Sequence, residues 1–370
     1  MIFAAACASG GAGGAGSSAV SAGPSETAPT RDYLVYVASE ATDRVALVRF
    51  GPAGAQVESQ TTVSANPTEP DGPHGLAVSP DGRYWYVSTA HGTPFGYLWK
   101  FATQSNQPLG RVMLGSFPAT LQLTPDGALA FVANFNLHGE MVPSSVSVVA
   151  TDEMVEVARI ETCTMPHGSR LNPQGTRHYS ACMMDDMIVE IDAHTLRVAR
   201  RFTLGDMTHS AHGGDASRGH RDPTCSPTWA QPSASGASVF VACNKSSEIV
   251  EIDVASWTVE RRLPAGDGVY NLAVTRDGTK LIGTNKRGQS VSVFDLASWR
   301  ELARIPTKRR VVHGAVVSPD DRYAFISVEG VGSEPGTLEV VDLAALRIVA
   351  SVDVGQMAGG IDFWRMEPAR

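Results

Sequence analysis

One unit of about 45 residues recurs along the chain, a period typical of repeat folds. Each copy reads as a short apolar strand, a turn of the Pro-Asp-Gly type and a second strand rich in Val, Phe and Tyr. Four short strands in each period are the pattern of a propeller blade, so the repeat predicts an all-β propeller. The copies begin at His74 (HGLAVSPDGRYWYVST), Ala119 (ATLQLTPDGALAFVAN), His167 (HGSRLNPQGTRHYSAC), Tyr270 (YNLAVTRDGTKLIGTN) and His313 (HGAVVSPDDRYAFISV), with a degenerate copy at Thr228.

Both ends of the chain are predicted to contribute to one blade. Three strands precede His74, at 34–40, 44–50 and about 57–64, and they lack an innermost strand. One strand near Ala358 follows the last repeat and lacks partners. Joining them completes a seventh blade and removes exposed sheet edges. We therefore predict a leading segment at 1–30, a single seven-bladed propeller at 31–366 and a tail at 367–370.

The composition excludes several classes of protein. Only 18% of the residues are charged and 43% are hydrophobic, which is typical of a folded chain. The net charge of -8 argues against general nucleic-acid binding. No apolar run reaches the roughly 20 residues that a membrane-spanning helix needs. We expect a monomer whose partners are a small molecule or a metal ion, together with proteins of the cell envelope.

The first 30 residues are predicted to combine part of an export signal with a tether. Residues 1–6 are apolar, Cys7 follows, and the chain to Thr30 is almost entirely Ala, Gly, Ser, Thr and Pro. Such a stretch is a flexible linker. Ala-Ala-Ala-Cys before it is similar to the cleavage site of a bacterial lipoprotein, although the basic start and long apolar stretch are missing. We predict a periplasmic or cell-surface protein with a truncated signal and a lipid anchor at Cys7.

Three segments of the repeat resemble the YVTN-type propeller family. They are FVAN with the later SSVSVV (131–149), FVACNKSSEIVEID (240–253) and LIGTNKRGQSVSVFD (281–295). The resemblance covers nearly the whole folded part and implies an exported seven-bladed propeller. Wider relatives include the propeller of nitrous oxide reductase, the haem domain of nitrite reductase and seven-bladed lactonases, so it is weak for activity. The chain lacks the adjacent His pair expected of the nitrous oxide reductase copper cluster and any Cys-x-x-Cys-His haem motif.

Most of the histidines are predicted to lie on one face of the disc-shaped propeller. Strand direction alternates within a blade, so loops before inner strands and after second strands form one face, here called the loop face, opposite the Pro-Asp-Gly turns. Histidines of this face are His74, His167 and His313 at inner-strand starts, His91 and His138 after second strands, and His209, His212 and His220 in an insertion at about 205–227. Methionines of the same face are Met141, Met165, Met183, Met184, Met207 and Met357.

Imidazole and thioether groups together predict a transition-metal site, because they suit copper better than Mg²⁺ or Ca²⁺. The inner strands of a propeller surround a central channel. The predicted ligands at the mouth of this channel are His74, His167 and His313, with His91, His138, His209 and His212 as additional or supporting groups. Two alternatives stay open. The histidines would serve an organic ligand or catalysis, or the His of each His-Gly pair would simply bond a neighbouring backbone carbonyl.

Four cysteines are predicted to form two disulfides, Cys163–Cys182 and Cys225–Cys243. In both pairs the first cysteine shortly precedes an inner strand and the second ends the following strand, so the same pattern recurs in neighbouring blades. An exported protein can keep such bonds. The alternative is soft metal ligation, because Cys163, Met165 and His167 cluster in the sequence.

Basic residues of the loop face predict a local basic sector in an otherwise acidic chain. They are Lys245, Lys286, Arg287, Lys308, Arg309 and Arg310. Such a sector either attracts an anionic substrate or partner, with Lys245, Lys286, Arg287 and Arg310 as the binding residues, or is a solvated rim.

Three functions follow from these features. The first is an exported propeller that binds a ligand, in particular a copper-type ion, at the loop face. The second is an enzyme, either a copper-dependent oxidoreductase or a lactonase or lyase that uses His74 or His313 as general base. The third is a scaffold for protein partners.

Overall fold

The computed structural model describes residues 28–64, 68–91, 95–204 and 222–370. Its 28 strands form seven antiparallel four-stranded sheets arranged as the blades of a propeller. One turn of 3-10 helix, at Glu40–Thr42, joins the first two strands. The predicted fold class, a seven-bladed propeller, is confirmed.

The blades follow one another along the chain. Six of them consist of four consecutive strands, and in each of these the first strand is the innermost. The closing blade begins with β1 (Arg31–Ser39), β2 (Arg44–Gly51) and β3 (Gly54–Thr62). Six complete blades follow: β4 (Pro73–Val78), β5 (Tyr84–Thr89), β6 (Tyr97–Ala102), β7 (Pro108–Met113); β8 (Pro118–Leu123), β9 (Leu129–Asn134), β10 (Pro143–Ala150), β11 (Val155–Thr164); β12 (Pro166–Leu171), β13 (Arg177–Cys182), β14 (Met187–Asp192), β15 (Arg197–Thr203); β16 (Pro227–Pro232), β17 (Ser238–Cys243), β18 (Glu248–Asp253), β19 (Thr258–Pro264); β20 (Val269–Val274), β21 (Lys280–Asn285), β22 (Ser290–Asp295), β23 (Arg300–Pro306); and β24 (Val311–Val317), β25 (Tyr323–Glu329), β26 (Thr337–Asp342), β27 (Arg347–Asp353).

The last strand, β28 (Ala358–Pro368), closes the ring as predicted. It pairs antiparallel with β1 from Arg31–Pro368 to Ser39–Ala358, so the closing blade has the order β28-β1-β2-β3. β28 also contacts β4 on one side and β24 on the other. The strand continues to Pro368, two residues beyond the boundary expected at 366.

In three blades, a hydroxyl group of the second strand ties the inner strand to the next inner strand around the channel. The Ser88 hydroxyl accepts from the N–H of Gly75 and donates to the carbonyl of Ala119, at 2.8 and 2.6 Å. Thr284 makes the corresponding pair of bonds, and so does Ser327. Most of the apolar core lies between neighbouring sheets, so these bonds supply the polar part of the same contacts.

The Pro-Asp-Gly turns lie opposite the loop face and are held by their own side chains. In the first copy, Asp81 Oδ1 accepts from the Ser79 hydroxyl at 2.6 Å and from the N–H of Arg83 at 3.0 Å. Gly82 has a φ of 69°, a conformation that glycine adopts without strain. The repeated motif is therefore explained by the geometry of the turn.

Both predicted disulfides are present. Cys163 is bonded to Cys182 and Cys225 to Cys243, with Cα atoms 5.8 and 4.5 Å apart. The alternative of metal ligation by these cysteines is therefore wrong. Structural disulfides suggest an extracellular or periplasmic location. Within the described residues, no helix is long and apolar enough to cross a membrane.

Removing the Cys225–Cys243 disulfide should cost about 3 kcal/mol of unfolding free energy, the chain-entropy value for a loop of this length. The bond closes a loop with a sequence separation of 18 and joins the start of its blade to the second strand. The Cys225→Ser/Cys243→Ser variant should show a lower urea midpoint at neutral pH than the wild type. Equal midpoints, with the wild-type bond verified by non-reducing peptide mapping, would contradict this expectation.

Candidate functional site

Three predicted histidines meet at the loop-face end of the channel. His74, His167 and His313 stand near the starts of β4, β12 and β24, and each is less than a tenth exposed. The ring centroid of His74 lies 5.6 Å from that of His313 and 6.1 Å from that of His167. The ring closure brings these residues together although they are far apart in sequence.

A buried carboxylate holds His74 in place. Glu40, in the 3-10 turn of the closing blade, receives a hydrogen bond from Nδ1 of His74 at 2.8 Å and contacts Nε2 of His91 through its other oxygen. Burial alone would raise the pKa of Glu40, but the charges and hydrogen bonds of His74 and His91 outweigh burial and hold that pKa well below its usual range. The hydrogen bond to Glu40 raises the pKa of His91. In the neutral form of the ring, Nδ1–H of His74 donates to Glu40, and Nε2 is the nitrogen that can accept or ligate.

His167 uses both ring nitrogens within the protein. Nδ1 lies 3.1 Å from the carbonyl of Thr228, and Nε2 lies 3.0 Å from the Tyr270 hydroxyl. Burial, followed by the charge of His74, lowers the pKa of His167 to about 3. The ring is therefore neutral, so Nδ1–H donates to the carbonyl and Nε2 accepts from Tyr270. For this histidine the alternative of a bond to a neighbouring backbone carbonyl applies, and neither nitrogen is left to bind a metal.

His313 belongs to a group of charged side chains. Its Nε2 lies 3.8 Å from Oε1 of Glu329, and Lys286 Nζ lies 3.4 Å from the same oxygen and 4.2 Å above the Tyr270 ring. Burial, and then the positive charge of Lys286, lower the pKa of His313 well below its ordinary value. Burial alone would lower the pKa of Lys286, but Tyr270 and Glu329 raise it overall. His313 is therefore a neutral imidazole beside an ammonium group.

Two nitrogens of this cluster lack a hydrogen-bond partner among the described residues. They are Nε2 of His74 and Nδ1 of His313. Both residues line one cavity of about 30 Å³ in the channel, together with Asn271 and Arg170. Because buried polar atoms are nearly always paired, these nitrogens mark the part of the site that is free to bind a ligand.

The other predicted site residues are more dispersed. His138 is exposed on the rim, with its ring 5.7 Å from that of His91, while His209, His212 and His220 lie outside the described residues. Met165, Met183 and Met184 pack with Phe117 and Phe135 beside the histidines. In the parts of the chain that the structure describes, no three His, Cys, Asp or Glu side chains form a group that could hold a metal ion by themselves.

The basic sector is largely offset by carboxylates. Lys286 pairs with Glu329, Arg287 with Asp267 at 3.0 Å, and Lys308 and Arg309 with Asp353 at 3.5 and 3.4 Å. Lys245 and Arg310 are exposed. Pairing of this kind reduces the field that the sector presents to an approaching anion.

Several residues of the site were not predicted as ligands or catalytic groups. Glu40, Glu329, Asn271 and Arg170 gave no local motif. Tyr270 and Asn271 carry a signal in retrospect, because they occupy the inner-strand positions that hold His-Gly in other copies. The two glutamates face the histidines only because strands from different blades converge at the channel.

Comparisons with known proteins agree on the fold. No protein-family model matches the chain, and no curated protein matches its sequence. Hydrazine synthase from Kuenenia stuttgartiensis is similar in structure, with a TM-score of 0.64 at 20% identity over 80% of this chain and 90% of that chain. A functionally unknown protein from Desulfotomaculum acetoxidans DSM 771 is similar with a TM-score of 0.70 at 14% identity, over 90% of this chain and 98% of that chain. The chain is a seven-bladed propeller. At these identities the likeness extends to the fold alone.

Proposed function

We propose that this protein is an exported propeller that binds a copper-type transition-metal ion in its channel, through Nε2 of His74 and Nδ1 of His313. The observation that carries the proposal is that these two buried nitrogens line one cavity and have no hydrogen-bond partner among the described residues. Two protein nitrogens leave coordination positions for a thioether or an exogenous ligand. Neutral imidazole is the ligating form, and the lowered pKa of His313 favours it at neutral pH.

The surroundings of the two nitrogens support a copper-type ion. The carboxylate of Glu40 on Nδ1 of His74 is the usual partner of a metal-ligating imidazole, since it fixes the tautomer and ring orientation. The thioethers of Met165, Met183 and Met184 lie at the same end of the channel. Imidazole with thioether is a donor set that suits copper.

Export and family membership are part of the same proposal. The two disulfides suit a periplasmic or cell-surface protein, and a lipid anchor at Cys7 would hold it at the envelope. The three segments that resemble the YVTN-type repeat fall on β9–β10, β17–β18 and β21–β22, which are second and third strands of their blades. Membership of that family is therefore consistent with the blade architecture.

Loading the full chain with Cu²⁺, followed by dialysis and metal analysis, tests the metal site. We expect about one ion bound per chain in the wild type and none in His74→Gln or His313→Gln. Glu40→Gln should lower the affinity, measured by chelator competition, about 10–100-fold, as is usual for groups that orient a ligand. The matched control is His138→Gln, which removes an exposed imidazole and should retain binding. Wild-type protein without bound copper would overturn the proposal.

A second function is favoured by the contact between Glu40 and His74. A carboxylate on Nδ1 leaves Nε2 as a base, which is the arrangement of an acid/base dyad. This function predicts that chelator-treated protein hydrolyses a lactone or ester substrate. His74→Gln and Glu40→Gln should each lower kcat about 100-fold or more. Activity that persists in both variants, or that requires added metal, would exclude it.

A further inference from the structure

Arg170 is a cation inside the channel that has no ionic partner in the part of the chain that the structure describes. It is the fifth residue of β12, and its guanidinium lies 4.3 Å above the Trp229 ring. One of its five N–H groups donates to the carbonyl of Ser169 at 2.9 Å. Among the described residues, no carboxylate lies within ion-pair distance. Burial lowers the pKa of Arg170 only to about 10, so the group stays charged at neutral pH.

The carboxylate that acts most on Arg170 is engaged elsewhere. Asp362 accepts from the N–H of Val78 at 2.7 Å and from the N–H of Phe363 at 2.9 Å. Burial raises the pKa of Asp362 to about 6, so the carboxylate is still mostly ionised at neutral pH, but it makes no hydrogen bond to Arg170. Most donors of Arg170 therefore remain available to another acceptor.

Arg170 lines the same cavity as His74 and His313. The volume of about 30 Å³ is about two to three times the space of about 10–15 Å³ that one water molecule needs on the same measure. Much of the remaining lining is apolar or glycine, including Leu76, Ala315 and Ile361. A half-buried guanidinium in such surroundings interacts with negative charge more strongly than one in open solvent, because the channel walls limit the water that screens it.

We propose that this cavity is a site for a small inorganic anion of one to three heavy atoms, held by Arg170 and shared with the metal at His74 and His313. The proposal rests on the proposed function for the metal and adds the class of the exogenous ligand. The cavity volume suits an anion of this size better than an organic carboxylate or a phosphate ester. Asn271 supports the same assignment: its Oδ1 has no hydrogen-bond partner within the described segments, and the opposite orientation of the amide turns an N–H₂ donor toward the ligand.

Azide, a linear anion of three atoms, is the probe for the copper-loaded protein. Titration followed by the azide-to-copper charge-transfer absorption should give saturable binding in the wild type. Arg170→Gln should weaken azide binding about tenfold or more, the effect of losing a charge-assisted bond, while copper affinity stays within a factor of about three. Arg170→Lys should restore part of the loss. The control is Arg276→Gln, which removes an exposed charge at the opposite mouth of the channel.

The outcomes separate the two proposals. Azide binding that is equal in Arg170→Gln and wild type, with copper bound in both, overturns the anion site and leaves the metal site intact. Absence of copper from the wild type overturns the metal site, and the anion site is then tested by bromide soaking of metal-free crystals. An anomalous bromide peak beside Arg170 that disappears in Arg170→Gln supports the anion site, and no peak in the wild type overturns it.

Discussion

Deleting Ala358–Arg370 should abolish the cooperative folding of the whole propeller. The deletion removes β28, which pairs with the full length of β1 and contacts both β4 and β24. It leaves β1, which is buried along nearly its whole length, as an unpaired edge, and it removes Ala358 and Ile361 from the apolar core. Exposed edges of this kind associate with other chains. We expect aggregated protein without a sigmoidal thermal transition in far-ultraviolet circular dichroism.

Two controls make this expectation sharp. Deleting only Ala369 and Arg370 removes surface ion pairs of Arg370 with Glu58 and Glu367 but no strand residue, and such pairs contribute at most about 1 kcal/mol each. Adding a synthetic peptide of residues 358–370 to the refolding mixture should restore soluble monomer, because it can supply the missing strand. A truncated protein that is monomeric and melts like the wild type would show that closure is dispensable.

Replacing His178 with Phe should make the protein markedly more resistant to acid. His178 is fully buried in β13, its ring stacks on Phe131 at 4.9 Å, and neither nitrogen has a partner among the described residues. Burial, and then the charge of Arg170, lower the pKa of His178 to about 3. Below pH 6.5, the ordinary pKa of histidine, His178 takes up a proton in the unfolded chain but stays neutral in the folded protein. The unfolding free energy is therefore not reduced by His178 above pH 6.5, and it decreases as the pH falls below that value.

The size of the effect follows from proton linkage. Between about pH 7.5 and about pH 5, one such histidine lowers the unfolding free energy by about 2 kcal/mol. Phe cannot take up the proton and keeps the aromatic stack, so the variant should lose about 2 kcal/mol less than the wild type in urea titrations at the two pH values. His167 and His313 have lowered pKa values as well, so both proteins should still lose stability. Exposed His194→Gln is the control, and equal acid losses in wild type and His178→Phe would contradict a neutral buried imidazole.

The architecture could be predicted because each copy of the repeat contains turn residues that mark the boundary between two strands. The turn residues recur for a local reason, visible in the bonds of Asp81 and the positive φ of Gly82, so each copy places two strands. The spacing of the copies then located β28 and the closure. The disulfides were predictable for the same reason, because Cys163–Cys182 and Cys225–Cys243 occupy matching offsets in neighbouring blades.

The chemistry of the site was only partly predictable because its contacts cross between blades. The sequence placed His74, His167 and His313 at one end of the channel, and they do meet. The periodic pattern did not indicate that the hydroxyl of Tyr270, 103 residues away, would hydrogen-bond to Nε2 of His167. Nor did it indicate that Glu40 would accept a hydrogen bond from His74. Such pairings depend on side-chain reach and on the angle between blades, and neither has a periodic signature in the chain.

The positions of His74 and His313 have a consequence for how the molecule keeps its shape. Their strands, β4 and β24, lie on either side of β28, so the two imidazoles flank the closing blade, in which β1 pairs with β28. A ligand bound by both imidazoles would link β4 and β24 across the closing blade, and it would be released when the pairing of β1 with β28 is lost. By mass action, its free concentration would then set the resistance of the disc to opening.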